Sequence, residues 1–289
     1  VTSFRLCIVG LGLIGGSLAL ALRRARPAWH LAGVDSDQAT RAQALAAGAV
    51  DEATELALAR LGDCDAVVLA VPAPALLELI PEAAARMRPG AVLTDVCGAK
   101  EAPCARGAGQ QRAIFVGAHP MAGTEFRGFA AADAGLFRGA TVAICPPTAG
   151  PDAGRAVELV GELWRAAGAA KLLQVDPQEH DRAVTYASHL PYLAAAAVVR
   201  SLRSAGSAEE LARDLAAGGF RDTTRLAGDG TVGGAASLNR FLPKAARELA
   251  EALRALAAQL EREPDAAREI LSATADERRA MKLPPKRPA

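Results

Sequence analysis

Only four histidines, at positions 30, 119, 180 and 189, occur in the 289 residues of this chain, so any imidazole chemistry draws on a very short list. Cysteine is nearly as sparse. The five cysteines, at 7, 64, 97, 104 and 145, form no C-x-x-C pair and are too few for a disulfide framework in a chain of this length, which points to a reducing compartment. Excess charge is also missing: 33 basic residues, of which 28 are arginine and five lysine, face 32 acidic ones, for a formal net charge of +1. That balance leaves no field to hold nucleic acid or a membrane surface. No stretch approaches the roughly 20 apolar residues that span a bilayer. The N-terminal run VTSFRLCIVGLGLIGGSL is broken by four glycines and has neither a basic leader nor a small-residue cleavage site. A cytoplasmic protein with no nucleic-acid and no membrane partner is expected.

With 51% hydrophobic and 22% charged residues, the chain is neither disordered nor a coiled coil, and its length suits one large or two medium domains. The first half alternates β-branched runs with alanine- and leucine-rich stretches at helical spacing, the pattern of a parallel sheet wrapped by helices. Strands are expected at RLCIVG (5–10), LAGVD (31–35), DAVVLAV (65–71), AVLTDV (91–96), AIFVGA (113–118), ATVAIC (140–145) and KLLQV (171–175). Their continuous apolar character suits burial on both faces. From Asp176 onward no strand is expected, and RELAEALRALAAQLERE (247–263) spaces its leucines as an amphipathic helix does. The PPKRPA ending reads as a frayed tail.

The segment GLGLIG (10–15) satisfies G-x-G-x-x-G directly after an apolar strand and directly before a helix. Gly10 suits the tight turn, Gly12 the close approach of backbone to a pyrophosphate, and Gly15 the packing of helix on strand, with Leu11, Leu13 and Ile14 completing the loop. The phosphates of a dinucleotide then lie at the positive end of the helix. Twenty residues beyond Gly15, Asp35 ends the second strand, where a carboxylate accepts hydrogen bonds from both ribose hydroxyls and repels a 2′-phosphate. The expected cofactor is NAD. Arg41, six residues past Asp35, reads as a solvated charge on its helix, and Val71 and Pro72 read as wall residues on the nicotinamide side. The expected fold class is therefore α/β: a Rossmann-type doubly wound, mostly parallel sheet over residues 1–175, followed by an all-helical second domain over 176–289.

His119 follows the strand at 113–118, where ligands of doubly wound sheets collect. An imidazole there is placed for proton chemistry at neutral pH. A Pro- and Gly-containing loop bearing Thr124 and Glu125 follows it. His180 and His189 lie nine residues apart, which puts them half a turn out of phase on one straight helix at ~100° per residue. They cannot share a metal there, and no metal site is expected.

The segments HPMAGTE (119–125) and GLFRGA (135–140), then SHLP (188–191) and GGFRDTTR (218–225), together resemble the prephenate and arogenate dehydrogenases of tyrosine biosynthesis, over Phe4 to about Arg279. The resemblance implies a small-molecule substrate, prephenate or arogenate, and a homodimer formed through the helical domain. It also implies NAD-dependent oxidative decarboxylation, with His119 as base on the C4 hydroxyl and Arg225 as the fork for a substrate carboxylate. Glu125 corresponds to an acidic residue at the site's mouth. Ser188, His180 and Asp222 correspond to polar residues lining or bracing the pocket, Asp222 either contacting substrate or bracing Arg225. His189 reads as a helix-packing or hydrogen-bonding residue.

Three positions depart from the family's pattern. Gly98, within DVCGAK (95–100), stands where many relatives carry a serine, Tyr192 stands where a second histidine is common, and a tryptophan after the arginine motif is absent. The Tyr192 hydroxyl offers a substitute donor at the substrate pocket. Two other readings fit the nucleotide motif alone: a β-hydroxyacid dehydrogenase, or a sensor that binds NAD without turnover. The first normally uses a lysine in the helical domain, and this chain has none between Asp176 and Lys244.

Overall fold

The computed structural model describes residues 4–56, 60–124, 126–147, 150–230 and 232–282. The chain forms two compact units, Val1–Arg240 and Phe241–Ala289. The first is built on eight strands: β1 (Arg5–Val9), β2 (His30–Val34), β3 (Glu52–Thr54), β4 (Ala66–Leu69), β5 (Val92–Asp95), β6 (Ile114–Pro120), β7 (Thr141–Cys145) and β8 (Lys171–Gln174). They form one sheet in the order β3-β2-β1-β4-β5-β6-β7-β8. Pairing is parallel except between β6 and β7, where Gly117 faces Cys145 and Pro120 faces Val142 in antiparallel register. The mostly parallel, Rossmann-type sheet is thus present, extended on one side by a reversed pair.

Seven of these strands coincide with apolar runs in the sequence. The eighth, β3, does not: EAT is three residues long, lies at the sheet edge and is only partly covered, so it carries no apolar signature. β6 also runs beyond the expected Ala118, carrying His119 within its last two residues.

Helices α1 (Leu13–Ala25), α2 (Gln38–Ala46), α3 (Ala73–Arg86), α4 (Glu101–Ala108) and α5 (Ala153–Ala166) connect the strands. Successive residues of β1 serve opposite layers, as the two-residue period of a strand dictates. Leu6 and Ile8 pack with Leu18 and Leu22 of α1 and Trp164 of α5, whereas Cys7 and Val9 pack with Leu76 and Ile80 of α3. Both faces of the sheet are therefore buried along its inner strands, which is why these read as unbroken apolar runs, whereas β8 at the far edge is largely exposed.

Beyond β8 the chain is helical among the described residues. α6 (Pro177–Val184) passes through a π-helical turn (Thr185–His189) into α7 (Leu190–Ser201), and α8 (Glu209–Asp214), α9 (Gly218–Thr224) and α10 (Val232–Ser237) follow within the first unit. The second unit contains α11 (Leu242–Arg262) and α12 (Pro264–Ala280), packed on each other.

A buried ion pair ties the carboxyl ends of the central strands. Lys100 and Asp95 are both fully buried, and the Lys100 ammonium donates to Asp95 and to the Ala118 carbonyl at 2.8 Å. The Asp95 carboxylate also accepts the Ala118 and Cys97 amides at 3.1 and 3.0 Å. Burial, the largest single effect, would lower the lysine's pKa, but Asp95 together with Cys97 and Cys104 raises the value overall, so the side chain stays charged. β5, the following turn and the residue before His119 are held by this one pair. Lys100→Met should leave a buried carboxylate without its counter-ion, at a cost of about 3–5 kcal/mol. That corresponds to a thermal midpoint lower by on the order of 10 °C. A midpoint unchanged within a degree would show that the pair is not structural.

Candidate active site

The glycine loop connects β1 to α1 at the point where the strand order reverses, β2 lying on one side of β1 and β4 on the other. Crevices at such reversals are where doubly wound sheets bind ligands. Gly10 has φ +92°, and a Cβ there would collide with the Ala70 carbonyl; at Gly15 it would collide with the Gly10 carbonyl. A Cβ at Gly12, by contrast, would meet nothing within 4 Å. No side chain caps α1, whose first turn contains Leu13, Ile14 and Gly15. Its amides are left to an anion at the helix's positive end. The loop is therefore tight where it packs and open where a pyrophosphate would approach.

Asp35 follows β2, and its carboxylate accepts the Leu11 amide at 2.8 Å and the Asp37 amide at 2.9 Å. Each oxygen keeps a further lone pair for a ribose hydroxyl. Arg41 is not the solvated charge expected from sequence. Its guanidinium donates to the Asp35 carbonyl at 2.8 Å and the Ser36 carbonyl at 3.1 Å, and its side chain is only 15% exposed. Val71 is half-buried beside Gly10, and exposed Pro72 precedes α3.

Three side chains form a directed chain at the end of β6. Asp181 accepts from His180 Nδ1 at 2.8 Å, and His180 Nε2 meets His119 Nδ1 at 3.0 Å, the rings edge to face. A carboxylate only accepts, so Nδ1 of His180 carries its proton and Nε2 of the neutral ring accepts. His119 therefore donates through Nδ1 and keeps a lone pair on Nε2. Burial would raise the Asp181 pKa, but the His180 bond and the amides of Glu101 and Lys100, at 3.0 and 2.7 Å, hold it below the usual carboxylate range.

The straight-helix expectation for His180 and His189 is corrected by the π-helical turn between them. A turn closed by i→i+5 bonds winds less per residue than an α-helix, so the phase difference changes and His189 comes round to the same site. His189 is buried, and its Nδ1 lies 3.0 Å from Asn239 Nδ2. The same Asn239 nitrogen reaches the Asp181 carbonyl at 2.8 Å, which identifies it as the amide donor. His189 Nδ1 must then accept, and its Nε2 carries the proton. A Cβ at Gly98 would sit 3.6 Å from Nε2 of both His119 and His189, and 3.1 Å from the Ala235 methyl.

Helix α10 lines this space and reaches the nucleotide side. Tyr192, in the first turn of α7, places its hydroxyl 3.5 Å from where a Cβ of Gly233 would lie, and Gly234 approaches Ala73 and Pro74 at the start of α3. Ser188 is half-buried within the π-helical turn. Thr124 accepts the Phe126 amide at 3.3 Å in the loop after β6, which is pinned to α1 by the Asp133 amide on Ser17 Oγ at 2.9 Å. Glu125 lies outside the described residues. Arg225 opens an exposed turn packed against α7, and exposed Asp222, three residues earlier on α9, forms no ion pair with it. His30 is at the opposite end of the sheet, 3.0 Å from Glu52. Sequence reading missed Asp181, Asn239, Asp95 and the role of Lys100. Only Asp181 had a visible signal, an acid directly after His180.

A sheet in this order, with an open glycine cradle and an acid ending β2, defines a dinucleotide-binding protein of the Rossmann class. The chain belongs to the prephenate dehydrogenase family: residues 18–173 match the family's nucleotide-binding domain and residues 176–232 its dimerization domain. Prephenate dehydrogenase of Bacillus subtilis is 32% identical over 223 residues, 76% of this chain and 59% of that protein. The chain thus spans about three fifths of the length of that curated relative. Among solved structures it is similar to Synechocystis arogenate dehydrogenase (30% identity, TM-score 0.75, 96% of this chain and 100% of that one). It is also similar to Aquifex aeolicus prephenate dehydrogenase in complex with hydroxyphenyl propionate and NAD+ (26% identity, TM-score 0.83, 96% and 98%).

Burial pushes the His119 pKa well below 6.5, and His180, the Lys100 ammonium and His189 push it further; burial likewise lowers His189. Both rings are therefore neutral at neutral pH. In an NMR titration, the His119 ring should begin to take up a proton only at a pH clearly below 6.5. Titration at or above that value would contradict the arrangement. The sign for stability follows: between the folded pKa and 6.5 the unfolded chain binds the extra proton, so acidification through that window weakens the fold.

Proposed function

We propose that this chain is an NAD-dependent dehydrogenase that oxidatively decarboxylates prephenate, arogenate or both. The observation that carries this reading is His119 at the carboxyl end of β6, its Nδ1 committed to His180 and its Nε2 left as a base. Family membership and the likeness to the Bacillus, Synechocystis and Aquifex proteins support it. Gly10, Gly12 and Gly15 with the first turn of α1 would hold the pyrophosphate, and Asp35 the adenosine ribose, disfavouring a 2′-phosphate. Bound NAD supplies the hydride acceptor, with Val71 and Pro72 on its nicotinamide side.

His119 Nε2 accepts the proton of the substrate's C4 hydroxyl as that carbon gives up hydride, leaving a dienone. The ring carboxylate then departs as carbon dioxide, its bonding pair restoring aromaticity and placing charge on the C4 oxygen. His119 returns the proton to that oxygen, so the phenol forms and the base is regenerated. Arg225 pairs a substrate carboxylate. Thr124, Glu125, Ser188, His180, Tyr192 and Asp222 are assigned to lining or bracing this pocket. The helical region from residue 176 onward is assigned to substrate binding and to a homodimer. Its exposed Leu211, Leu215, Leu253 and Leu260 supply apolar surface for that contact, and sedimentation at the mass of one chain would overturn the dimer.

Adding prephenate or arogenate to enzyme and NAD should raise the absorbance of reduced nicotinamide. A sensor would bind NAD and give no such rise. His119→Asn should lower kcat by about 10²–10⁴-fold while binding of hydroxyphenyl propionate survives, and Arg225→Ala should chiefly raise KM. Full turnover in His119→Asn would remove the assigned base.

A further inference from the structure

Gly98 removes a side chain from the point where the two ring nitrogens converge, and the volume is not left open. The Ala235 methyl stands 3.1 Å from where the Cβ would be, tighter than ordinary contact. No residue-98 hydroxyl exists to hold the reacting oxygen, and α10 fills the space. The same point is bordered by two Nε2 atoms with opposite capabilities: that of His119 accepts, and that of His189 donates. The donor character is fixed by Asn239, whose amide occupies His189 Nδ1 while anchored to the Asp181 carbonyl. His189 is 1% exposed, and no protein group among the described residues takes its Nε2 proton. A donor that faces the proposed base across the same point is placed to give its hydrogen to an acceptor on the ligand.

Resting on the substrate reading above, we propose that His189 Nε2–H donates a hydrogen bond to the substrate's C4 oxygen, opposite His119, as the second group that holds it. The oxygen accepts from His189 throughout while its own proton passes to His119 Nε2 and back. His189 neither gains nor loses a proton. Its bond strengthens when decarboxylation puts charge on the oxygen, so its contribution falls on kcat more than on KM.

Two replacements of His189 separate this role from simple packing. Asn places its amide near the Nδ1 position and keeps a partner for Asn239, but deletes the outer donor. Gln reaches toward the Nε2 position with an N–H, but gives up the Asn239 bond. The proposal expects His189→Asn to lower kcat by about 10²-fold, the scale of losing one donor to an oxyanion, and His189→Gln to retain more activity. The opposite order, or two variants equal to wild type, overturns it. Gly98→Ser combined with Ala235→Gly supplies a hydroxyl and the room for it, and in the His189→Asn background should recover part of the loss; no recovery counts against the proposal. Calorimetry on the NAD-loaded enzyme gives a readout free of turnover. Wild type should bind hydroxyphenyl propionate more tightly than phenyl propionate, and His189→Asn should reduce the difference to what the His119 contact alone supports. A preference left intact in His189→Asn overturns the proposal alone. If wild type binds neither compound and reduces no NAD, the substrate reading fails and takes the proposal with it.

Discussion

The carboxylate of Asp181 is the anchor on which the rest of the site depends. It is buried, and it accepts from His180, from the Lys100 amide and from the Glu101 amide at the start of α4. Its carbonyl accepts from Thr185 in the π-helical turn and from Asn239 after α10. One residue thus joins a helix that follows β5, the turn that reorients His189 and the segment that closes the site. A buried carboxylate is tolerable only when its lone pairs are satisfied, and here three donors satisfy it. Because it can only accept, it also sets the direction of every proton along His180 and His119.

Two histidines with the same side chain acquire opposite roles through their partners. His119 donates a hydrogen bond through Nδ1 to His180 and presents a lone pair; His189 accepts one at Nδ1 from Asn239 and presents an N–H. Neither assignment needs a charged ring. The depressed pKa of each, caused first by burial, keeps both in the neutral form for which donor and acceptor are distinguishable. The Lys100 ammonium beneath β6 adds to this at His119, and its bond to the Ala118 carbonyl fixes the backbone that carries the ring. Structural pinning and electrostatic tuning come from the same cation.

Local patterns were legible in the sequence, and long-range ones were not. Apolar runs located seven strands, the inner ones because burial on both faces leaves an unbroken signal and the largely exposed β8 through its short KLLQ run. The glycine spacing located the cradle because Gly10 and Gly15 answer local steric demands. β3 had no such signal, being a three-residue edge strand. The reversal at β7 left none either, since an apolar strand reads alike in both directions. Within the site, His119 was legible from its place after a strand. The Asp181 bond to Lys100 spans 81 residues and the Asn239 bond to His189 spans 50, so no spacing rule reaches them. The π-helical turn has no compositional mark, which is why a straight helix put His189 on the wrong face. Gly98 was visible as a missing serine, but what its absence admits, the Ala235 methyl, depends on the packing of α10.

On the proposed reaction a weak base is an advantage. A C4 alcohol is far too poor an acid for imidazole to ionise in advance, but as hydride leaves, the oxygen takes on the character of a protonated carbonyl, which gives up its proton readily. A base of low pKa then suffices, provided that it is unprotonated when substrate arrives, and burial beside Lys100 and two other imidazoles ensures that. In the second half the same group must act as an acid toward a phenolate, whose conjugate acid has a pKa of about 10. An imidazolium destabilised by its surroundings is the stronger acid for it, so the depressed pKa of His119 favours proton return as much as it favours readiness at the start. The environment that looks costly for a histidine therefore suits both halves of one turnover, and it needs no excess positive charge on the surface, only the one ammonium buried under the strand.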